Sequence, residues 1–298
     1  KNRNKIKKIK KITMLINHFK TAFRNFSHNK IFSAINVIGL AIGISASLVI
    51  FLIVYYEYSY DRFEKDKDRI YRVVIDAKFN GVEGHSAGVQ APLSAAIQNE
   101  VTGVELTVPV MQFQGDATAT VDITNKALPS PVIFKKQAGI VFTNRQYFQL
   151  LTYKWIAGSP KESLQEPFSV VLTQSRAQQY FPGISPQNII GRQIKYNDNL
   201  TAAVSGVVQN LNEQTTFSAS EFISFATIAK TNLQKDFMMD VWNDWMAYSQ
   251  LYIKLSKNIS PDGIQLQLKN LLNKYDNNAN KDAAHTLAFH LQPLTYIH

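Results

Sequence analysis

The chain has 298 residues, 32 Lys and Arg against 22 Asp and Glu, and no cysteine, which excludes disulfide staples, a thiol nucleophile and a cysteine-based metal site. Ten of the basic residues precede Glu57 and all 22 acidic residues lie from Glu57 onward. Residues 57–298 are therefore formally neutral, and the net charge of +10 does not mark a nucleic-acid-binding face, so no nucleic-acid partner is expected.

Residues 1–30 form a basic cytoplasmic segment. Met14 reads as the natural start, with residues 1–13 an upstream extension. Leu15, Ile16, Phe19, Ala22, Phe23 and Phe26 recur at helical spacing, and Lys20, Arg24 and their polar neighbours fill the other face. This pattern predicts an amphipathic helix in the headgroup layer, the alternative being the start of the membrane helix itself. Lys20, Arg24 and Lys30 would face the membrane surface, where each cation adds about 1 kcal/mol of attraction to anionic lipid.

Residues 31–56 carry no charge. The apolar centre, Ile35–Tyr55 (INVIGLAIGISASLVIFLIVY), has the roughly 20 residues that a bilayer crossing takes. Thirteen of them are Ile, Leu, Val or Phe. Those residues favour insertion by about 4 to 8 kcal/mol, less what Gly, Ser and Asn take back. The stretch exceeds a cleavable signal's apolar region, so an uncleaved anchor is predicted. Its basic flank places the N-terminus in the cytoplasm and residues 57–298 outside it. Gly39, Gly43 and Ser47 share one helix face, a small-residue track that another helix can approach.

About 240 residues follow, enough for one large or two small domains. Strands are predicted over Arg69–Phe79, Val104–Phe113, Pro131–Lys135, Ser169–Thr173, Ile194–Tyr196, Ala202–Val208, Gln250–Leu255 and Leu287–Leu291. Helices are predicted over Pro92–Val101, Thr143–Leu151 and Gln174–Phe181, with a partly helical Ile228–Met239. A further helix, capped by Ser260 with Pro261 at its first position, runs to about Tyr275. The fold class is α+β: one N-terminal transmembrane helix, then a mixed α/β extracytoplasmic domain of two subdomains.

No motif supports catalysis. Gly-Lys does not occur anywhere, so the chain has no P-loop, and neither HExxH nor GxSxG is present. No cofactor is expected. His285, His290 and His298 lack a clustered carboxylate, and no metal site is predicted there. The run from Asp61 to Arg69 alternates acids and bases without the pattern of a calcium loop, and reads as a solvated helix face. Trp242, Trp245, Tyr248 and Tyr252 read as core, the alternative being an apolar binding surface.

The stretch FKTAFRNFSHNKIFSAINVIGLAIGISASLVIFLIVYYEYSYDRFEKDKDRIYRV, Phe19–Val73, resembles the start of MacB-like, FtsX-type ABC-transporter permeases. Its hallmarks are Arg24-Asn25, the Gly39–Gly43 track and the YEYSYDRF…RIYRV run. Val141–Pro167, Phe168–Asp198, Val204–Phe225 and His290–His298 resemble successive blocks of the family's periplasmic core domain. The resemblance implies a permease homodimer or pseudo-dimer, a separate cytoplasmic ABC ATPase subunit, membrane lipids, and a periplasmic adaptor or substrate as partners. It implies that the membrane is the inner one and that the outside is the periplasm. It implies mechanical coupling through the span and a rigid continuation, Tyr56 to Arg69. Glu57, Asp61, Arg62, Phe63, Arg69, Tyr71 and Arg72 are the juxtamembrane candidates for that role. It also implies a strand-rich inserted subdomain at roughly 105–225, and substrates of the drug, peptide or lipoprotein class. Family members continue into further membrane helices, so the chain is expected to be the first part of a longer permease. Two rivals stand beside it: a single-anchor sensor domain of a signalling receptor, and an anchored binding or assembly protein.

Overall fold

The computed structural model describes residues 14, 17, 18, 20, 21, 24, 28 and 30–297, apart from 114, 116, 122–130 and 277–284. It divides into two compact units, Lys1–Tyr58 and Ser59–His298. In the first, a single helix runs from Lys30 to Glu57 with every side chain unburied. Apolar residues cover it on all sides, as lipid requires rather than as a soluble core would. Lys20 and Arg24 are helical and exposed. All six apolar positions of the amphipathic segment, Leu15 to Phe26, lie outside the described residues.

The second unit is built on one mixed sheet. Its first part comprises β1 (Ile70–Phe79), β2 (Val82–Ser86) and β3 (Val104–Gln112). The middle comprises β4 (Ala117–Val121), β5 (Val132–Gln137), β6 (Ile140–Thr143), β7 (Trp155–Ala157), β8 (Ser169–Thr173), β9 (Gln193–Tyr196), β10 (Leu200–Val208) and β11 (Glu221–Ser224). The chain then returns with β12 (Ser249–Leu255) and β13 (His285–Pro293). The spatial order is β13-β1-β12-β3-β6-β11-β8-β10-β9-β4-β5, with β2 beside β1 and β7 beside β10. Strands β8 and β10 pair in parallel, as do β6 and β11; the other pairs are antiparallel.

Residue type explains how the sheet is covered along its width. Around β1, β12 and β13 the sheet is covered by the helices Leu93–Glu100 and Pro261–Tyr275. The latter begins as its sequence dictates: Ser260 Oγ accepts from the Asp262 amide at 3.3 Å, and Pro261 occupies the first turn. Its buried stripe is Ile264, Leu268, Leu271 and Leu272. At about 1.5–3 kcal/mol per buried side chain, that stripe supplies most of what holds this helix down. A separate core cluster packs Tyr180, Tyr196, Phe142 and Ile194 between β4, β6, β9 and β10. Strand β8 is buried along its whole length, which suits its apolar centre, Val170–Leu172. Beside it, Gly206 admits the Trp155 ring: a Cβ there would meet ring carbon Cζ3 at 2.5 Å.

Thr143–Leu151 and Asp61–Arg69 differ from expectation, while Ile228–Met239 is partly helical as predicted. Thr143 ends a strand, and the helix predicted over Thr143–Leu151 shrinks to Tyr147–Leu150, because Asn144 folds its side chain onto the Gln146 amide and starts a turn. Ile228–Met239 divides into a 3-10 segment, Phe225–Lys230, and one helical turn, Leu233–Asp236. The run from Asp61 to Arg69 is no solvated helix face: Asp61 and Glu64 are buried, drawn in by threonines remote in sequence.

Candidate functional site

Two sets of predicted residues lie on the membrane helix and on the segment that follows it. On the helix, a Cβ added at Gly39 or Gly43 would meet no atom within 4 Å. Ser47 turns its hydroxyl inward and donates to the Gly43 carbonyl at 2.8 Å. The three residues therefore leave a smooth, polar-satisfied track.

The helix ends at Glu57, and the chain runs through turns to Phe63 before a short 3-10 segment, Lys67–Arg69. Tyr56 to Arg69 is thus not one continuous rod; it is held as a strap. Asp61 takes a left-handed backbone, φ 51°, a conformation that Asp tolerates better than most residues. Its amide donates to the Gln214 carbonyl at 3.0 Å. Its carboxylate accepts from the Thr216 amide at 3.3 Å and from both the Thr215 and Thr216 hydroxyls. Ser59 donates to the Gln214 side chain beside them. Three residues on, Glu64 accepts from the Thr152 amide at 2.9 Å and from its hydroxyl at 3.0 Å. Burial raises the Glu64 carboxyl above its usual range, with the Thr152 bonds opposing.

A four-member charge box closes the strap. Arg69 meets Asp66 at 2.9 Å and Glu105 at 2.6 Å. Lys254 meets the same two carboxylates at 2.6 and 3.1 Å. Glu105 is on β3 and Lys254 on β12, so the box fastens the strap to two strands of the sheet. Hydrogen bonds from Lys254 and Arg69 pull the Asp66 carboxyl down to about 2. Arg69 holds Glu105 below its ordinary value in the same way. Arg72 reaches across to Gln292 at 3.1 and 2.7 Å, its register partner on β13. The Tyr71 hydroxyl donates to the Asp68 carbonyl at 3.2 Å. Glu57 and Arg62 are exposed, and Phe63 is half-buried.

The strap's threonine partners lead inward. Phe217 sits in an aromatic cluster with Tyr147, Phe222 and Tyr252, its ring centre 4.9 Å from Tyr252 and 6.0 Å from Tyr147. Thr216, Phe217, Tyr147 and Tyr252 also border a groove of about 280 Å³ between β3, β12 and the turn before β6. Deeper in the sheet, Glu221 on β11 accepts from the Tyr180 and Tyr196 hydroxyls at 2.7 and 2.6 Å and faces Arg176 Nε at 3.4 Å. Burial still raises the Glu221 carboxyl. Trp242 stacks on Tyr275 with ring centres 4.4 Å apart, while Tyr248 and Tyr252 enter two different cores.

From the predicted set the structure brings Asp61 and Arg69 into anchoring contacts and leaves Glu57 and Arg62 on the surface. Sequence reasoning missed their partners, Thr152, Thr215, Thr216, Glu105 and Lys254. No local signal marks a Thr-Thr pair as the seat of a carboxylate on the far side of the chain. Among the described residues no group of three His, Asp or Glu side chains could hold a metal ion, and His298 lies outside the described residues.

A family model described as the MacB-like periplasmic core domain matches residues 33–271. Among solved structures, a domain of a protein assigned as a permease from Porphyromonas gingivalis is similar, at 17% identity and TM-score 0.60. The match covers 77% of this chain and 91% of that one. The periplasmic region of MacB from Actinobacillus actinomycetemcomitans is similar at 14% identity and TM-score 0.47, over 78% of this chain and 92% of that one. A comparison with curated proteins found no match.

Proposed function

We propose that this chain, which belongs to the family of MacB-like periplasmic core domains, carries movement of its membrane helix into its periplasmic sheet through the Asp61 strap. Family membership makes it a non-catalytic, membrane-anchored component of the ABC-transporter permease type, with a periplasmic domain and a partnership with an ABC ATPase. The observation that carries the coupling reading is the buried Asp61 clasp on Thr215 and Thr216.

Coupling of this kind depends on stiffness. A segment held by one or two exposed contacts would absorb a pull from the membrane. Residues 59–69 are instead fixed at three places: the clasp, Glu64 on Thr152, and the charge box. The clasp leads straight to Phe217 and its aromatic cluster, which is packed too tightly to deform gradually. A displacement of the strap therefore moves the cluster and the groove beside it as one body.

In this reading the basic flank keeps the N-terminus in the cytoplasm, the Gly39–Gly43–Ser47 track receives a partner helix, and two such chains or halves act together. The moving sheet then exports or extracts a drug, peptide or lipoprotein substrate, directly or with a periplasmic adaptor. The subdomain formed by roughly residues 105–225 is the part that moves.

The test uses the absence of native cysteine. Gly39→Cys in the full membrane-embedded chain is oxidised to join neighbouring helices, and amide hydrogen exchange is read at Thr215–Phe217. Joining the helices is expected to change exchange there, and Asp61→Ala is expected to abolish that response. Failure to cross-link removes the helix partner. Cross-linking with unchanged exchange removes the coupling.

A further inference from the structure

A second, larger cavity of about 770 Å³ lies where the turn between β9 and β10, the segment 230–238 and Tyr248 meet. Its volume falls in the range of sites that take small molecules. Phe113, Phe237 and Tyr248 form one wall together with Met238 and Met246. The Phe237 ring is fixed at 5.4 Å from Tyr248 and 5.6 Å from Phe142, so part of that wall is rigid. The methionines, unbranched and polarisable, adapt to irregular apolar shapes.

Two further observations single out this cavity. Phe168 and Met238, both lining it, hold φ at 58° and 53°, a region costly for bulky side chains. Phe168 is clamped there: its amide donates to Thr227 Oγ1 at 2.8 Å, and its carbonyl accepts from the Ala203 amide at 2.8 Å. The clamp leaves the Phe168 side chain 38% exposed at the cavity. Local strain that the surroundings enforce points to a use. The second observation is chemical. Lys230, Asp236, Asn199 and Asn232 line the same space, and among the described residues none of their side chains makes a hydrogen bond or ion pair. One free cation, one free anion and two free amides thus share an aromatic, thioether-walled cavity.

We propose that this cavity binds a drug-sized amphipathic zwitterion. Its apolar body lies against Phe168, Phe237 and the methionines, its anionic group meets Lys230, and its cationic group meets Asp236. The proposal rests on the cavity alone and stands apart from the strap.

The experiment titrates the full chain in lipid nanodiscs with the uncapped tripeptide Phe-Met-Phe by calorimetry, with empty nanodiscs subtracted. Uncapped peptide is expected to bind, and the acetylated, amidated peptide to bind about tenfold more weakly. Lys230→Gln and Asp236→Asn, both at exposed positions, should each weaken uncapped peptide by about threefold and leave capped peptide unchanged. Phe168→Gly suits the left-handed backbone and removes the ring, so it should weaken both peptides while the fold persists. No heat above empty nanodiscs, equal affinity for capped and uncapped peptide, or unchanged binding by Phe168→Gly each overturns the proposal.

Discussion

Two of the carboxylate–arginine contacts, Asp66 with Arg69 and Glu221 with Arg176, lie in environments that push the acid in opposite directions. Asp66 sits 2.9 Å from Arg69 with 43% of its side chain in water, and its carboxyl is drawn down to about 2. Glu221 sits 3.4 Å from Arg176 with none of its side chain in water, and its carboxyl is pushed up despite two tyrosine donors. The difference is solvent. Asp66 keeps its hydration, so two direct bonds to cations decide its proton affinity. Glu221 has lost its hydration, and the cost of an ion in a dry sheet outranks every partner it has. The first arrangement fastens a segment that can release into water. The second fixes a place in the sheet, between β6 and β8, where release would strand a charge.

Breaking the buried side is expected to have the largest effect. Arg176→Met leaves Glu221 facing only the two tyrosines and should cost about 3–5 kcal/mol, read as a fall in the denaturant midpoint. Replacing both residues, Arg176→Met with Glu221→Leu, should restore most of that loss, because an apolar pair suits the site as well as an ion pair does. A double variant no more stable than the single one would show that the tyrosine hydroxyls, not the charges, set the cost.

Asp61 tests the ground between the two extremes, since it is buried like Glu221 but bound by hydroxyls and an amide. Asp61→Ala should cost about 2 kcal/mol, the loss of charge-assisted hydrogen bonds. The loss should be local and appear as faster amide exchange at Thr216 before any global change.

Acid titration sharpens the contrast by sign. The folded value of Asp66 is depressed below its unfolded value of 3.8, so its contribution is full above that value and fades as pH falls toward about 2. The folded value of Glu221 is raised above an unfolded value of 4.5, so its contribution is full below that and is lost as pH rises through the folded value. Lys254→Met should flatten the first limb, and Glu221→Gln the second. Salt near 1 M, where the Debye length is about 3 Å, should shrink only the Asp66 limb. Equal salt sensitivity of both limbs would erase the distinction.

The smallest effect is expected on the helix. Gly39→Leu or Gly43→Leu should leave the stability of the outer domain within about 0.5 kcal/mol, since nothing there meets the added side chain. The same substitutions should reduce helix-to-helix cross-linking in membranes. Unchanged cross-linking would mean that the small-residue track is only lipid-facing.

What the sequence made legible follows from the range of each signal. The membrane helix, the Ser260–Pro261 helix start and strands such as Ser169–Thr173 are written in neighbouring residues, and they appear as expected. Short strands such as Trp155–Ala157 and Glu221–Ser224 were missed, because three or four residues carry too little periodicity and pairing partners decide them. Asp61 and Arg69 are singled out by the family resemblance of the YEYSYDRF…RIYRV run, while residue type alone reads as a solvated face. Their geometry is not legible, because Thr215 lies 154 residues from Asp61, and nothing local announces that pairing. Phe168 shows the same limit from the other side: its sequence neighbours read as the start of a strand, and only the tertiary clamp shows the strained turn.

The pairing of β1 with β13 has a mechanical consequence. Tyr71 lies opposite Pro293 and Phe79 opposite His285, so the chain comes in at Tyr71 and goes out at Pro293 on the same end of one antiparallel ladder. Tension drawn through both of those points loads the ladder's cross-strand bonds one after another, like a zipper, rather than all together. A zipper yields at low force unless its first teeth are locked. Arg72 on Gln292 is such a lock on the ladder, and Arg69, gripping Asp66, Glu105 and the Leu255 carbonyl, is one on the segment just before it. The charges that hold the strap therefore also set the force at which the sheet would begin to part.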